Sequence, residues 1–216
     1  MMLNPNKCTF AVRAGKFLGF MVSQRGIEAN PEKIQVILDM ESPRRGKEVQ
    51  KLTGCIVALN RFVSRSTDKC LPFFNVLRGS KEFVWTEECE QAFQELKVYL
   101  GHAPILAKPL LGEKLFTYFV VSEHAVSSVL VREVAGVQVP VCYVNKRLLD
   151  AELRYPELER LALALIVSTR KLRHYFLAHS VVVFTNHLMK QVLRRPEASG
   201  RLVKWAFELI QFDILY

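Results

Sequence analysis

The sequence predicts an α/β protein in which short strands and a helical stretch precede a mixed-sheet domain. Three observations carry that expectation. Apolar, β-branched runs broken by turn residues fill residues 115–144. A long amphipathic stretch covers residues 156–176, and another apolar run follows at 180–185. The middle, residues 29–109, shows the three- and four-residue apolar spacing of helices instead. Of the 216 residues, 50% are apolar and 24% charged. That composition is globular and excludes disordered, collagenous and disulfide-rich classes.

In chain order, residues 8–12 and 16–23 read as extended segments separated by Ala14-Gly15, with Gln24-Arg25-Gly26 closing the second. They predict a hairpin or edge strands. Residues 1–28 are too few to bury a core alone and look like the end of a larger unit. Asn30 is positioned to cap a helix with Pro31 at its first position. Ile34, Ile37 and Leu38 form that helix's apolar face, and Pro43 is expected to end it. Val49, Leu52, Ile56, Leu59, Phe62 and Val63 mark a second amphipathic helix. Residues 70–77 predict a third, interrupted by Pro72. Thr86 begins a fourth, with Glu87 and Glu88 favouring its dipole and Cys89, Phe93, Leu96 and Leu100 facing inward. Residues 104–109 lead out in extended form.

Strands are predicted at 115–121, 126–133 and 137–144, with a turn at Gly136. A helix over 156–176 carries Leu158, Leu161, Leu165, Leu172 and Phe176 on one stripe. A strand at 180–185, a short helix at 187–193, a helix near 199–210 and a strand from Phe212 complete the order β-β-β-α-β-α-β. Three antiparallel strands, a crossover helix and a parallel fourth strand make a ribonuclease H-like mixed sheet.

Charge narrows the partners. The chain has 30 basic and 21 acidic residues, a net charge of +9. Residues 1–81 carry 14 basic and 6 acidic residues, whereas 82–95 hold five glutamates and no base. A basic first third favours polyanions, because each neutralised phosphate releases counterions. A solvated basic surface is the alternative reading. Cysteines at 8, 55, 70, 89 and 142 show no C-x-x-C spacing, and no histidine completes a zinc set with them. Buried thiols in a reducing, intracellular setting are expected. No apolar run reaches a membrane span's length, and the first residues lack a secretory pattern.

Residues 3–216 resemble the C-terminal half of a gypsy-type LTR-retrotransposon reverse transcriptase. Residues 3–8 and Gly15-Lys16-Phe17-Leu18-Gly19-Phe20 look like the end of the polymerase palm. Gly26-Ile27-Glu28-Ala29-Asn30-Pro31 looks like the entry to the thumb, and Leu52-Thr53-Gly54 with Leu59-Asn60-Arg61-Phe62 like the thumb helices. Phe83-Val84-Trp85-Thr86 and Pro104-Ile105-Leu106 are similar to the lead-in to the RNase H domain. Val121-Ser122-Glu123-His124-Ala125-Val126, Arg154-Tyr155-Pro156-Glu157-Leu158-Glu159 and Gly200-Arg201-Leu202-Val203-Lys204-Trp205 are nearest to plant lineages. The resemblance implies palm strands over 1–28, a helical thumb and connection over 29–109, and an RNase H-like domain over 110–216 that lacks its last helix.

The family's activities are RNA-directed DNA polymerisation and hydrolysis of RNA–DNA hybrids. The polymerase's Tyr-x-Asp-Asp loop belongs upstream of Leu3. RNase H chemistry needs clustered carboxylates, because Mg²⁺ prefers anionic oxygen and two ions ~4 Å apart clamp the attacking and leaving oxygens. By motif, the family's acids fall on Val120, Leu161 and Asn186. The fourth lies beyond Tyr216. No cofactor is therefore expected, and Val120 and Leu161 are expected to pack in the core. Glu123 and Glu157 are weak substitutes, while Glu159 is about 200° around the helix from Leu161.

A non-catalytic nucleic-acid-binding remnant is the expected function. An active hybrid nuclease and a domesticated protein-interaction domain are the alternatives. Arg44, Arg45, Lys47 and Lys51 cluster where one helix ends and the next starts, and Arg61 extends the stripe. The resemblance places this helix along a primer–template duplex, with Phe17, Gly19 and Phe20 as the primer-grip equivalent. The expected partners are a primer–template or RNA–DNA hybrid, read without sequence preference, and remaining polyprotein domains. Arg170, Lys171 and Arg173 are expected at the surface, and Trp85 and Trp205 in the core.

Overall fold

The computed structural model describes residues 12–17, 19–78, 83–185 and 200–216. The chain opens on an antiparallel meander of β1 (Ala14–Phe17), β2 (Phe20–Ser23) and β3 (Gly26–Ala29). The segment expected as one strand over 16–23 is thus two, because Gly19 takes φ +81° and turns the chain. The expected strand at 8–12 lies almost wholly outside the described residues.

Asn30 caps α1 (Pro31–Leu38) as expected, its Oδ1 accepting from the Glu32 N–H at 3.0 Å. The helix stops at Leu38, before Pro43 could end it. In α2 (Gly46–Ala58) and the 3₁₀ turn Asn60–Phe62, all six stripe residues from Val49 to Val63 are buried. A single helical turn, α3 (Ser66–Lys69), was not legible in the apolar spacing. Pro72 does not interrupt α4 (Leu71–Arg78), since it occupies the first turn, where its missing N–H has no helical partner to lose. Thr86 caps α5 (Glu87–Gly101), which buries Cys89, Phe93, Leu96 and Leu100.

The second unit is a five-stranded mixed sheet in the order β6-β5-β4-β7-β8. β4 (Leu115–Val121), β5 (Ala125–Val134) and β6 (Val137–Arg147) run antiparallel, and β7 (Val181–Phe184) lies parallel to β4. β8 (Ile214–Leu215) pairs parallel to β7 at the edge. The helix expected over 156–176 is broken at Leu172 into α6 (Glu157–Lys171) and α7 (Arg173–Ala178). The last helix, α8 (Gly200–Leu209), packs on α6 through the Arg170–Glu208 and Arg201–Glu159 ion pairs. The short helix expected at 187–193 lies outside the described residues. No helix among the described residues is long and apolar enough to cross a membrane.

Two cores result. One joins the sheet to α6, α7 and α8 and includes Trp205. The other joins α1, α2, α4 and α5 and has Phe73, Phe93 and Trp85 packed together. Buried polar groups connect them. Asn145 of β6 donates to Asn60 Oδ1 at 2.9 Å and the Val63 carbonyl at 3.0 Å. Its Oδ1 accepts from the Ser66 N–H and the Ser127 hydroxyl, both at 3.0 Å.

Candidate functional site

Arg44, Arg45, Lys47 and Lys51 are all exposed at the start of α2. They are not equally available. Arg44 donates its backbone N–H to Glu48 Oε2 at 2.7 Å, and its guanidinium lies 3.7 Å from Glu41. A shallow pocket of ≈ 320 Å³ brings Arg44 and Lys51 together, with Glu41 and Glu48 in its wall. Part of the expected cluster is therefore locally neutralised. Arg45, Lys47 and Lys51 have no carboxylate partner among the ion pairs of the described residues.

Because Val49, Leu52, Thr53 and Ile56 face the core, α2 shows water the row Lys47, Gln50, Lys51, Gly54, Val57 and Ala58. No acidic residue interrupts it. Eleven residue steps at 1.5 Å each make this row roughly 17 Å long. At its far end the 3₁₀ turn presents Arg61, whose guanidinium sits 5.3 Å from the Phe20 ring centroid. Phe20 also packs against Phe62, with centroids 5.7 Å apart. The structure thus brings Phe20 and Arg61 together. Phe17, 65% exposed on β1, is the cross-strand partner of Phe20, and Gly19 serves the turn between them.

Arg61 and Phe20 border an open cavity of ≈ 320 Å³, whose other walls are Val57, Ala58 and Asn60, Cys142, Tyr143 and Val144 of β6, and Lys171 and Leu172. Lys171 donates to the Asn145 carbonyl at 2.7 Å. Burial lowers its pKa, and the nearby Lys146 charge acts in the same direction. His174 is lowered by burial and then by the positive charge of Arg61. Burial raises the Cys142 thiol, with Arg61 opposing it. Sequence reasoning missed Lys171, Cys142 and His174 as neighbours of Arg61. Their local pattern is that of a helix end and a strand, and only the fold joins them.

The cleft where the resemblance places the hydrolytic acids is elsewhere, at the ends of β4 and β7. It measures ≈ 510 Å³ and is lined by Tyr118, Phe119, Val121, Glu157, Leu161, Phe184 and Thr185. Leu161 is 8% exposed and belongs to the core, as expected. Val120 does not. It is 42% exposed, because Leu115, Phe119 and Val121 take the α6 side of β4 and alternation turns Val120 to the other face. On that face Phe116 and Tyr118 stack against Phe184. Glu157 reaches the cleft one turn before Leu161, whereas Glu123 is exposed beyond the end of β4. Glu159 pairs with Arg201 at 3.0 Å. Asn186 lies outside the described residues.

Among the described residues, one carboxylate in a mostly aromatic and aliphatic lining does not fit a pair of Mg²⁺ ions, which need several anionic oxygens. Among the described residues, no three His, Cys, Asp or Glu side chains are grouped to hold a metal.

Comparison with known proteins agrees with this architecture. Residues 85–183 match the family described as the RNase H-like domain found in reverse transcriptase. The chain is 26% identical over 216 residues to the retrovirus-related Pol polyprotein from transposon 297 of Drosophila melanogaster, covering 99% of this chain and 20% of that protein. It is 26% identical over 219 residues to the transposon Tf2-3 polyprotein of Schizosaccharomyces pombe, covering 99% and 16%. The chain therefore spans about a fifth or less of these relatives. A foamy viral protease-reverse transcriptase in complex with double-stranded DNA superposes with a TM-score of 0.75 at 21% identity, covering 94% of this chain and 37% of that one. The foamy viral protease-reverse transcriptase in complex with an RNA/DNA hybrid gives 0.73 at 23% identity, covering 94% and 28%.

Proposed function

We propose, from the match of residues 85–183 to the RNase H-like domain found in reverse transcriptase and the likeness to transposon polyproteins, that this chain is a non-catalytic binder of nucleic-acid duplexes. The gypsy-type, plant-like motifs fit that reading, with palm-end strands over 1–28, thumb and connection over 29–109 and the RNase H-like unit over 110–216. The exposed row of α2 carries it. Lys47 and Lys51 lead an acid-free track toward Arg61, and the helix is held rigid by the core on its other side. Ammonium groups without a carboxylate partner are free to displace counterions from phosphates. Lysine contacts of this kind recognise backbone charge and not base sequence. The foamy viral relatives of this fold are complexes with DNA and with an RNA/DNA hybrid, which supports the same class of partner.

The double variant Lys47→Glu with Lys51→Glu tests the reading. In fluorescence anisotropy with unrelated duplex sequences, affinity should fall by about tenfold or more. The slope of log affinity against log salt should shrink by roughly 2, one per lost phosphate contact. An unchanged affinity and slope would remove α2 from the interface.

A further inference from the structure

We propose that the cavity between the 3₁₀ turn Asn60–Phe62, β6 and the end of α6 is a phosphate site, with Arg61 and Lys171 as its anion-binding groups. The cavity joins residues more than a hundred positions apart, and its ≈ 320 Å³ exceeds what a single phosphate needs. Among the described residues its two charged side chains are both cationic, and no acidic residue lines it. Arg61 has no carboxylate partner among the ion pairs of the described residues. Lys171 gives one hydrogen bond to the Asn145 carbonyl, and an ammonium has three donors. Among the described residues no hydrogen bond takes the other two, which are open to a ligand.

The Arg61 charge is felt by its surroundings: His174 is lowered by burial first and then by this guanidinium. Phe20 holds the guanidinium over its ring, limiting the freedom lost on binding. A planar fork beside an ammonium matches a tetrahedral oxyanion with several acceptors. Val57 and Ala58 belong both to the cavity rim and to the exposed row of α2. In assigning the phosphate to a nucleic-acid strand, the inference rests on the duplex reading above. As a phosphate site it stands on the cavity alone.

Inorganic phosphate titrated calorimetrically into the full chain should give saturable binding at one site. Arg61→Gln and Lys171→Met should each weaken it by about tenfold or more, the loss of one charge-assisted contact. Arg61→Lys, which keeps the charge and the packing stem, should recover part of that loss. Circular dichroism checks that each variant is folded. Lys47→Glu with Lys51→Glu should leave phosphate affinity within about twofold, so failure of the α2 reading and failure of this site are separable. Displacement of phosphate by a short duplex would identify the source as a strand. Persistence of phosphate in excess duplex would identify a free phosphate or phosphate ester and overturn the assignment to a strand. Absence of saturable phosphate binding, or equal affinity in wild type, Arg61→Gln and Lys171→Met, would overturn the site itself.

Discussion

At the residue scale, the chemistry of the cleft is decided by which side chains supply oxygen. Leu161 lines the cleft with Phe119 and Val121 and contributes only hydrocarbon. Among the described residues Glu157 is the single carboxylate lining it, and Val120 faces the opposite side of β4. Two divalent ions would be desolvated against apolar walls with one counter-charge, which is strongly unfavourable. The chain should therefore leave an RNA–DNA hybrid intact in Mg²⁺ when contaminating nuclease is excluded, as read on a denaturing gel. Metal-dependent cleavage that disappears in Glu157→Gln would show that the cleft is catalytic after all. The residue types behind this argument were legible in the sequence, since apolar side chains cannot ligate Mg²⁺. The direction of Val120 was not, because it depends on where β4 starts its alternation. The partial neutralisation of Arg44 was equally hidden, although Glu41 and Glu48 are its sequence neighbours, because pairing requires the geometry of the bend before α2.

At the element scale, two glycines have opposite roles. Gly26 starts β3 with φ +139°, and a Cβ there would collide with the Leu106 carbonyl oxygen. That carbonyl accepts from the Ile27 N–H at 2.8 Å, and the Leu106 N–H donates to the Ile27 carbonyl at 2.9 Å. Gly26 thus lets the meander lie directly on the segment after α5. Gly26→Ala combines backbone strain with loss of this bridge, and should destabilise the chain by roughly 2–4 kcal/mol in urea unfolding. Gly54 lies inside α2 with open space around it. Gly54→Ala should stabilise by about 0.5–1 kcal/mol, the helix-interior penalty of glycine. The amphipathic elements α2 and α5 were legible because a repeating apolar stripe encodes them. The break at Leu172 and the turn at Gly19 were not, because neither changes the apolar spacing.

At the scale of the whole molecule, the two cores behave as one body only if the contacts between them resist separation. Those contacts include the four hydrogen bonds that Asn145 makes to Asn60, Val63 and Ser66, one of them long at 3.4 Å, while Ser127 holds the same side chain from within the sheet. Asp68 also accepts from the Ser122 hydroxyl at 2.6 Å, and Tyr143 of β6 packs against the helical core. None of this is visible in local sequence, since the hydrogen-bonded partners are 54 to 85 positions apart. Asn145→Ala would strand buried groups on both sides, each costing about 1–3 kcal/mol, so a loss of roughly 2–4 kcal/mol is expected. The chain carries its own reporters, because Trp85 packs in the helical core and Trp205 in the sheet core. With Trp205→Phe and Trp85→Phe backgrounds, urea unfolding followed by the remaining tryptophan should give coincident transitions in the parent chain. In Asn145→Ala the two midpoints should separate, because the loss falls on the coupling between cores and not on either core's packing. Coincident midpoints after that substitution would mean that apolar contacts alone, such as Tyr143 against the helices, join the two cores.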